Sequence, residues 1–355
     1  MTDRNQQIVE LLKTQQASIA RTVVERQYAL EPEVWDRYGQ EGYQKSIRDV
    51  DYHLSYFYES LLAEDPSLFV DYLLWVKELF VGLNLPASVV ETTLKIMHTV
   101  LVEALPGEFQ PVLQPFFDEA AVRLTAADAE PSAALRRSNS PHELMQQYVD
   151  ALLHGERVAA SRLILDAVEQ GDSVKDVYLN VFQPAQHEIG RLWQANKITV
   201  AEEHYFTAAT QLIMSQLYPY IFSTINSDRR LVATCVGGEL HEIGIRMVAD
   251  FFEMEGWDTY YLGANTPARS LLQTVEDKQP DILALSATMT FNVGAVADFI
   301  RLVRQSEVAA NIKIIVGGYP FNLSKGLWQK IGANGCATDA QKAVTLAEEL
   351  ITHGA

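Results

Sequence analysis

Three things are scarce in this chain. Cysteine occurs only at Cys235 and Cys336, in 355 residues. Two thiols so far apart give no disulfide framework and suit a reducing compartment, so the cytoplasm is the expected address. Long apolar runs are missing. No hydrophobic stretch approaches about 18 residues, which excludes a transmembrane helix, and the opening M-T-D-R-N-Q-Q has no secretory core. Basic charge is also scarce: 28 Lys and Arg stand against 46 Asp and Glu, a formal net charge of -18. Duplex binding needs a clustered basic face, so neither nucleic acid nor membrane is an expected partner.

What is present is ordinary for a globular chain. With 48% hydrophobic and 21% charged residues, a large core can form, and the length suits two or three domains. Residues 1–125 read as helical, because Asp51 to Leu62 and Pro66 to Leu83 space aromatic and aliphatic residues by three and four. Asp65-Pro66 predicts a helix start, and Asn84-Leu85-Pro86 a stop and restart. Residues 126–141 are small and polar and read as a linker. Residues 142–226 return to helical patterns at roughly 142–154, 156–170, 174–196 and 200–222, a four-helix bundle.

The period changes in residues 227–355. Apolar runs at Leu231–Val236, Thr259–Leu262, Ile282–Ala287, Lys313–Val316 and near Gly335–Thr338 alternate with amphipathic helices. That alternation predicts a doubly wound, flavodoxin-like parallel sheet. The fold class is therefore multidomain α and α/β. In such sheets ligands bind beyond the carboxyl ends of the strands.

One edge of that sheet concentrates chemistry. The first strand-to-helix loop reads Gly237-Gly238-Glu239-Leu240-His241-Glu242-Ile243-Gly244. Ser286 and Thr288 end the third strand, and Gly317-Gly318 the fourth. A lone histidine near a helix start is usually a cap or solvated, strand-end hydroxyls usually serve local backbone, and a glycine pair is usually a turn. Their joint placement is what points to a ligand.

These residues resemble the cobalamin-binding domain shared by corrinoid methyltransferases, mutases and B12-dependent photoreceptors. That family reads Asp-x-His-x-x-Gly, then Ser-x-Leu or Ser-x-Thr, then Gly-Gly. Here the run is Glu239 to Gly244, Ser286-Ala287-Thr288 and Gly317-Gly318, with glutamate replacing aspartate. The resemblance implies that His241 is the lower ligand to cobalt. It also implies that the displaced nucleotide tail passes Gly244, Ser286 and the glycine pair, lined by Gly238, Glu242, Ile243 and Thr288. An imidazole suits cobalt, and its other N–H needs an acceptor, for which Glu239 is placed. Ser286 is a candidate to steady that carboxylate, and the extra methylene of Glu239 is expected to loosen the relay.

The bundle carries W-Q-A-N-K-I-T-V-A-E-E-H, with Trp193 on one helix and Glu203-His204 on the next. Read alone, these are a packed indole and a solvated helix start. They are also similar to the bundle that caps cobalamin in light-sensing B12 regulators. That resemblance implies that Trp193 covers the upper ligand, Glu203 contacts it, and His204 can bind cobalt after light. The expected function is thus a non-enzymatic, light-sensing cobalamin protein; the alternative is a corrinoid carrier of a methyltransferase system.

The first 125 residues lack a basic recognition helix, so output through a signalling protein or a homodimer is expected. Tyr52, Tyr56, Phe57, Tyr58, Phe69, Tyr72, Trp75 and Phe80, near Arg48 and His53, form an aromatic core, a dimer face or a second chromophore site. The arrangement resembles the photocobilin subgroup, which implies biliverdin beside adenosylcobalamin or methylcobalamin; with no cysteine in the first 234 residues, that bilin is expected to be noncovalent.

Overall fold

The helical patterns of the first segment are realised in the computed structural model, which describes residues 3–127, 143–222 and 228–352. The chain divides into two units, Met1–Ala134 and Leu135–Ala355. The first holds α1 (Asp3–Leu30), α2 (Pro32–Trp35), α3 (Gly39–Ala63), α4 (Pro66–Gly82), α5 (Ser88–Ala104) and α6 (Gln110–Ala127). Asp65 starts α4 as its place before Pro66 predicts: Ser67 N donates to Asp65 Oδ1 at 3.0 Å. The expected linker lies outside the described residues, except that residues 126 and 127 close α6.

The aromatic density of α3 and α4 separates into two sets. Phe57 meets Phe69 edge-on, with centroids 5.4 Å apart, and packs on Phe116 and Phe117 in the core. His53, Tyr56, Tyr72 and Trp75 form the other. The Tyr56 and Tyr72 rings stack at 3.6 Å, Trp75 lies nearly parallel to Tyr72, and His53 Nδ1 is 2.8 Å from Tyr72 Oη. Burial pushes His53 down to about 4, which keeps its imidazole neutral.

The second unit begins with a helical cap: α7 (Glu143–Leu153), α8 (Arg157–Glu169), α9 (Val174–Val177), α10 (Gln183–Gln194), α11 (Val200–Gln216) and α12 (Tyr218–Ile221). The single helix expected over 174–196 is interrupted by a π-helical turn, Tyr178–Phe182. Pro184, at the start of α10, has no N–H to continue the regular ladder, and the wider turn precedes it. Thr199 opens α11 with a capping box: its hydroxyl accepts from Glu202 N, and the Glu202 carboxylate accepts from Thr199 N at 2.7 Å.

The sheet follows as β1 (Arg230–Val236), β2 (Asp258–Thr266), β3 (Ile282–Ser286), β4 (Lys313–Gly317) and β5 (Gly335–Ala337), all parallel in the order β2-β1-β3-β4-β5. Between them run α13 (Ile243–Met254), α14 (Ala268–Lys278), α15 (Val293–Gln305), α16 (Tyr319–Leu323) and α17 (Leu327–Lys330), and α18 (Ala340–Thr352) closes the unit. β1 is buried from Leu231 to Val236, as a central strand covered on both faces must be. β2 runs past its expected end at Leu262, because the register against β1 shifts around Thr234, where Gly263 and Asn265 take positive φ. Such a bulge disturbs the alternation on which a strand reading rests. Strand order reverses between β1 and β3, which opens a crevice at their carboxyl ends.

One stripe of α13 holds the cap. Glu242, Arg246 and Asp250 are spaced by four residues, so they share a helix face. Gln211 Nε2 donates to Glu242 Oε1 at 2.7 Å. Arg246 donates to Gln211 O and Ser215 Oγ at 3.0 and 2.8 Å. Tyr178 Oη donates to Asp250 Oδ2 at 2.7 Å.

Burial pushes the Asp250 carboxyl up to about 6, although Tyr178 and Arg246 pull it down. A raised acid loses its proton first in the unfolded chain, so its effect is absent below its ordinary value of 3.8 and stability falls as pH rises from there through about 6. The variant Asp250→Asn has no proton to lose. Between those two pH values it should gain on the native chain by on the order of 2–3 kcal/mol in urea unfolding. A difference that stays constant with pH would refute the buried-acid assignment.

Candidate functional site

The loop after β1 turns through Gly237 and Gly238, the latter at φ +89, and is pinned to the end of β2. Gly238 N donates to Asn265 Oδ1 at 2.8 Å, and Asn265 N to Glu239 O at 2.9 Å. This turn sends the Glu239 side chain inward, where it is fully buried, and leaves Leu240 exposed.

Glu239 is the centre of the site. Its Oε1 accepts from His241 N at 3.0 Å and faces His241 Nδ1 at 2.5 Å. Its Oε2 accepts from Thr288 N, Met289 N and Asn292 Nδ2 at 2.8, 2.9 and 3.0 Å. Burial would raise this carboxyl, but the bonds from His241, Met289 and Asn292 outweigh it and hold the group down to about 2. The bond to Glu239 in turn raises His241, against burial, with a smaller pull from Glu203 of the cap.

Two expectations about this relay are corrected. The longer side chain does not loosen it, because the extra methylene carries the carboxylate to the amides of the β3 loop. Ser286 does not steady it; the peptide N–H groups of Thr288 and Met289 and the amide of Asn292 do. Asn292 was invisible to motif reading, since it follows Glu239 by 53 residues and belongs to no spacing rule.

With Nδ1 donating to Glu239, the neutral ring carries its lone pair on Nε2. That nitrogen makes no hydrogen bond among the described residues, and the His241 side chain is 56% exposed beside a wholly buried partner. Gly244 has open space where a side chain would stand. The glycine pair at β4 has a different reason. A Cβ on Gly318, at φ +106, would lie 2.0 Å from Ala287 O, and one on Gly317 would lie 3.2 Å from Ala337 O. These glycines let β4 pass between its neighbours. Ser286 is buried at the end of β3, Thr288 joins through its backbone, and Ile243 packs against the core shared with the cap. Glu242 is engaged by Gln211, by Tyr261 Oη at 2.9 Å and by Ala264 N at 3.0 Å.

On the cap, Trp193 is half-buried on α10. Glu203 Oε1 accepts from Thr207 Oγ1 at 2.9 Å, and the neighbouring His204 side chain is 74% exposed. Buried Gln186 Nε2 has no hydrogen-bond partner, while its oxygen lies 3.4 Å from Thr207 Oγ1. Among the described residues no three His, Cys, Asp or Glu side chains converge as a metal cage. A single exposed imidazole, backed by a buried acceptor, instead fits a metal already held in a macrocycle.

Comparison with known proteins agrees. Residues 229–346 match a B12 binding domain model, and residues 144–218 match a second B12 binding domain model. Dimethylamine corrinoid protein 3 of Methanosarcina mazei is 30% identical over 121 residues, which cover 34% of this chain and 71% of that protein. The chain belongs to the B12-binding family. Dimethylamine corrinoid protein 1 of Methanosarcina acetivorans is 26% identical over 220 residues, 60% of this chain and 99% of that protein. The solved monomethylamine corrinoid protein of Methanosarcina barkeri shares the fold, with TM-score 0.52 and 21% identity, over 59% of this chain and all of the other. Residues 2–124 match a phycobilisome protein model.

These relatives overturn the expectation of a light sensor in the photoreceptor subgroup, with its signalling partner. They are named as corrinoid proteins, the rival reading. The motif misled because the lower-ligand loop and a helical cap serve both roles. The assignment of His204 as a cobalt ligand after light falls with it.

Asn292 supplies one of the donors that keep a buried charge in place. Asn292→Ala should cost about 1.5–3 kcal/mol in urea unfolding at neutral pH, as loss of a hydrogen bond to a charged group does. An unchanged midpoint would show that the peptide donors suffice.

Proposed function

We propose that this B12-binding protein is a corrinoid carrier for methyl groups, itself not an enzyme, working between methyltransferase partners. The observation that carries the reading is the Glu239–His241 pair, with its free Nε2, in a family whose named relatives are corrinoid proteins. A bound cobalamin supplies a cobalt that takes up and gives up a methyl group. His241 Nε2 would hold that cobalt, and Glu239 keeps the Nδ1 proton in place and the ring oriented. Gly238, Ile243, Gly244, Ser286, Thr288, Gly317 and Gly318 line the crevice for the cofactor tail, and Glu242 borders it. Trp193, Glu203 and His204 belong to the cap side, where they limit water at the reactive face. The cytoplasm suits the two free thiols, and among the described residues no helix is long and apolar enough to cross a membrane.

The test uses the full chain loaded with methylcobalamin and kept dark. Given a thiol and a corrinoid-dependent methyltransferase, it should lose its methyl-corrinoid absorption as thioether accumulates. With cobinamide, a corrinoid lacking the nucleotide base, bound as cobalt(II), nitrogen splitting in the electron paramagnetic resonance spectrum should vanish in His241→Ala, with cobalamin affinity at least about tenfold weaker. No thioether in the dark would sink the carrier reading, and retained splitting would sink the ligand assignment.

Unit 1 supports a further ligand. The match to phycobilisome proteins and the His53–Tyr56–Tyr72–Trp75 stack favour a noncovalent bilin there, since an elongated tetrapyrrole wants aromatic walls. Biliverdin added to the protein should give a red-shifted band that Tyr72→Ala removes. Spectra that merely add would exclude the site.

A further inference from the structure

The α13 stripe joins cap to sheet unevenly. At its far end the contact is deep. Asp250 and Tyr178 are buried, Tyr178 also packs on Phe251 with centroids 6.1 Å apart, and Tyr218 Oη reaches Asp250 Oδ1 at 3.5 Å. Tyr178 opens the π-helical turn of the cap. Such turns interrupt the regular ladder and recur at functional sites.

At the near end, next to His241, the contact is shallow. Glu242 and Gln211 are both half-buried. Their bond is 2.7 Å, yet Glu242 Oε2 stays satisfied by Tyr261 and Ala264 when Gln211 leaves. Water can then serve Glu242 Oε1 and the Gln211 amide. In the middle, Arg246 reaches Gln211 O and Ser215 Oγ from the sheet side.

We propose that this stripe is a hinged seam: Asp250 with Tyr178 and Tyr218 is the pivot, and Glu242 with Gln211 is a catch that releases the cap beside His241. Its use rests on the carrier reading, because a methyl group must reach partners on both transfers. Its geometry does not. Release at the near end opens the crevice where His241 stands, while the pivot keeps the cap attached through the shared core. Gln211 is then a positioning residue, acting on access and not on the cofactor.

The test measures cap-to-sheet distance by paired spin labels on the full chain. Labels go on exposed Val158→Cys and Val308→Cys, in a Cys336→Ser background. The native seam should give one distance. Gln211→Ala should add a second, longer one, with the open fraction raised about tenfold, the factor that ~1.4 kcal/mol of lost contact yields. Tyr178→Phe should not add that second distance. An unchanged distribution in Gln211→Ala, or the longer distance appearing in Tyr178→Phe instead, would overturn the proposal. Methyl transfer is read separately: opening without transfer would leave the seam standing and remove the carrier reading.

Discussion

The site depends on one buried carboxylate. Glu239 has no exposed surface, yet remains charged. Burying an ion is costly unless its lone pairs are satisfied. Here four N–H groups and the imidazole face its two oxygens. Among the described residues no Lys or Arg bonds to it, so its charge is directed at the ring. The same bonds tie the β1 loop to the β3 loop, and thereby fix both walls of the switch-point crevice. Glutamate suits this duty better than its shorter counterpart would in the same backbone, because one oxygen must reach Met289 N while the other stays at the histidine.

That arrangement explains why the Glu239–His241 pair was legible from the chain. Glu239 and His241 are two residues apart, and their geometry follows from a glycine turn and a helix start. The five strands and the Asp65 cap were legible for the same reason, since their signals are local. What escaped was nonlocal. Asn292 meets Glu239 across the crevice, Gly318 is dictated by the backbone of Ala287, and β2 is lengthened by a bulge against β1. Gln211 and Glu242 meet only because cap and sheet pack together. Periodicity records which face of a helix is apolar. It does not record which polar groups meet across it.

The misreading of function has a related cause. A lower imidazole ligand is needed whether the upper bond is broken by light or by a methyl acceptor. Trp193, Glu203 and His204 lie on the cap, and residue types there do not say what visits. Access decides between these chemistries, and access is a property of how the cap is fastened.

The fastening here is graded. An apolar interface along all of α13 would bind the cap strongly and open only at the cost of exposing large area to water. A wholly polar one would leave the crevice wet and the cap loosely placed. The chain puts Tyr178, Phe251 and the buried carboxyl of Asp250 at one end, and water-replaceable groups at the end nearest the imidazole. Separating cap from sheet would therefore cost least beside the imidazole and most at Asp250. The matched corrinoid protein of Methanosarcina acetivorans is covered over 99% of its length by this chain, so a segment similar to the whole of that protein lies within it. The phycobilisome-like residues 2–124 are an addition with their own buried aromatic set. Their chemistry is separable from that of the sheet edge, because every bond of the Glu239–His241 relay and of the α13 stripe is made within the second unit.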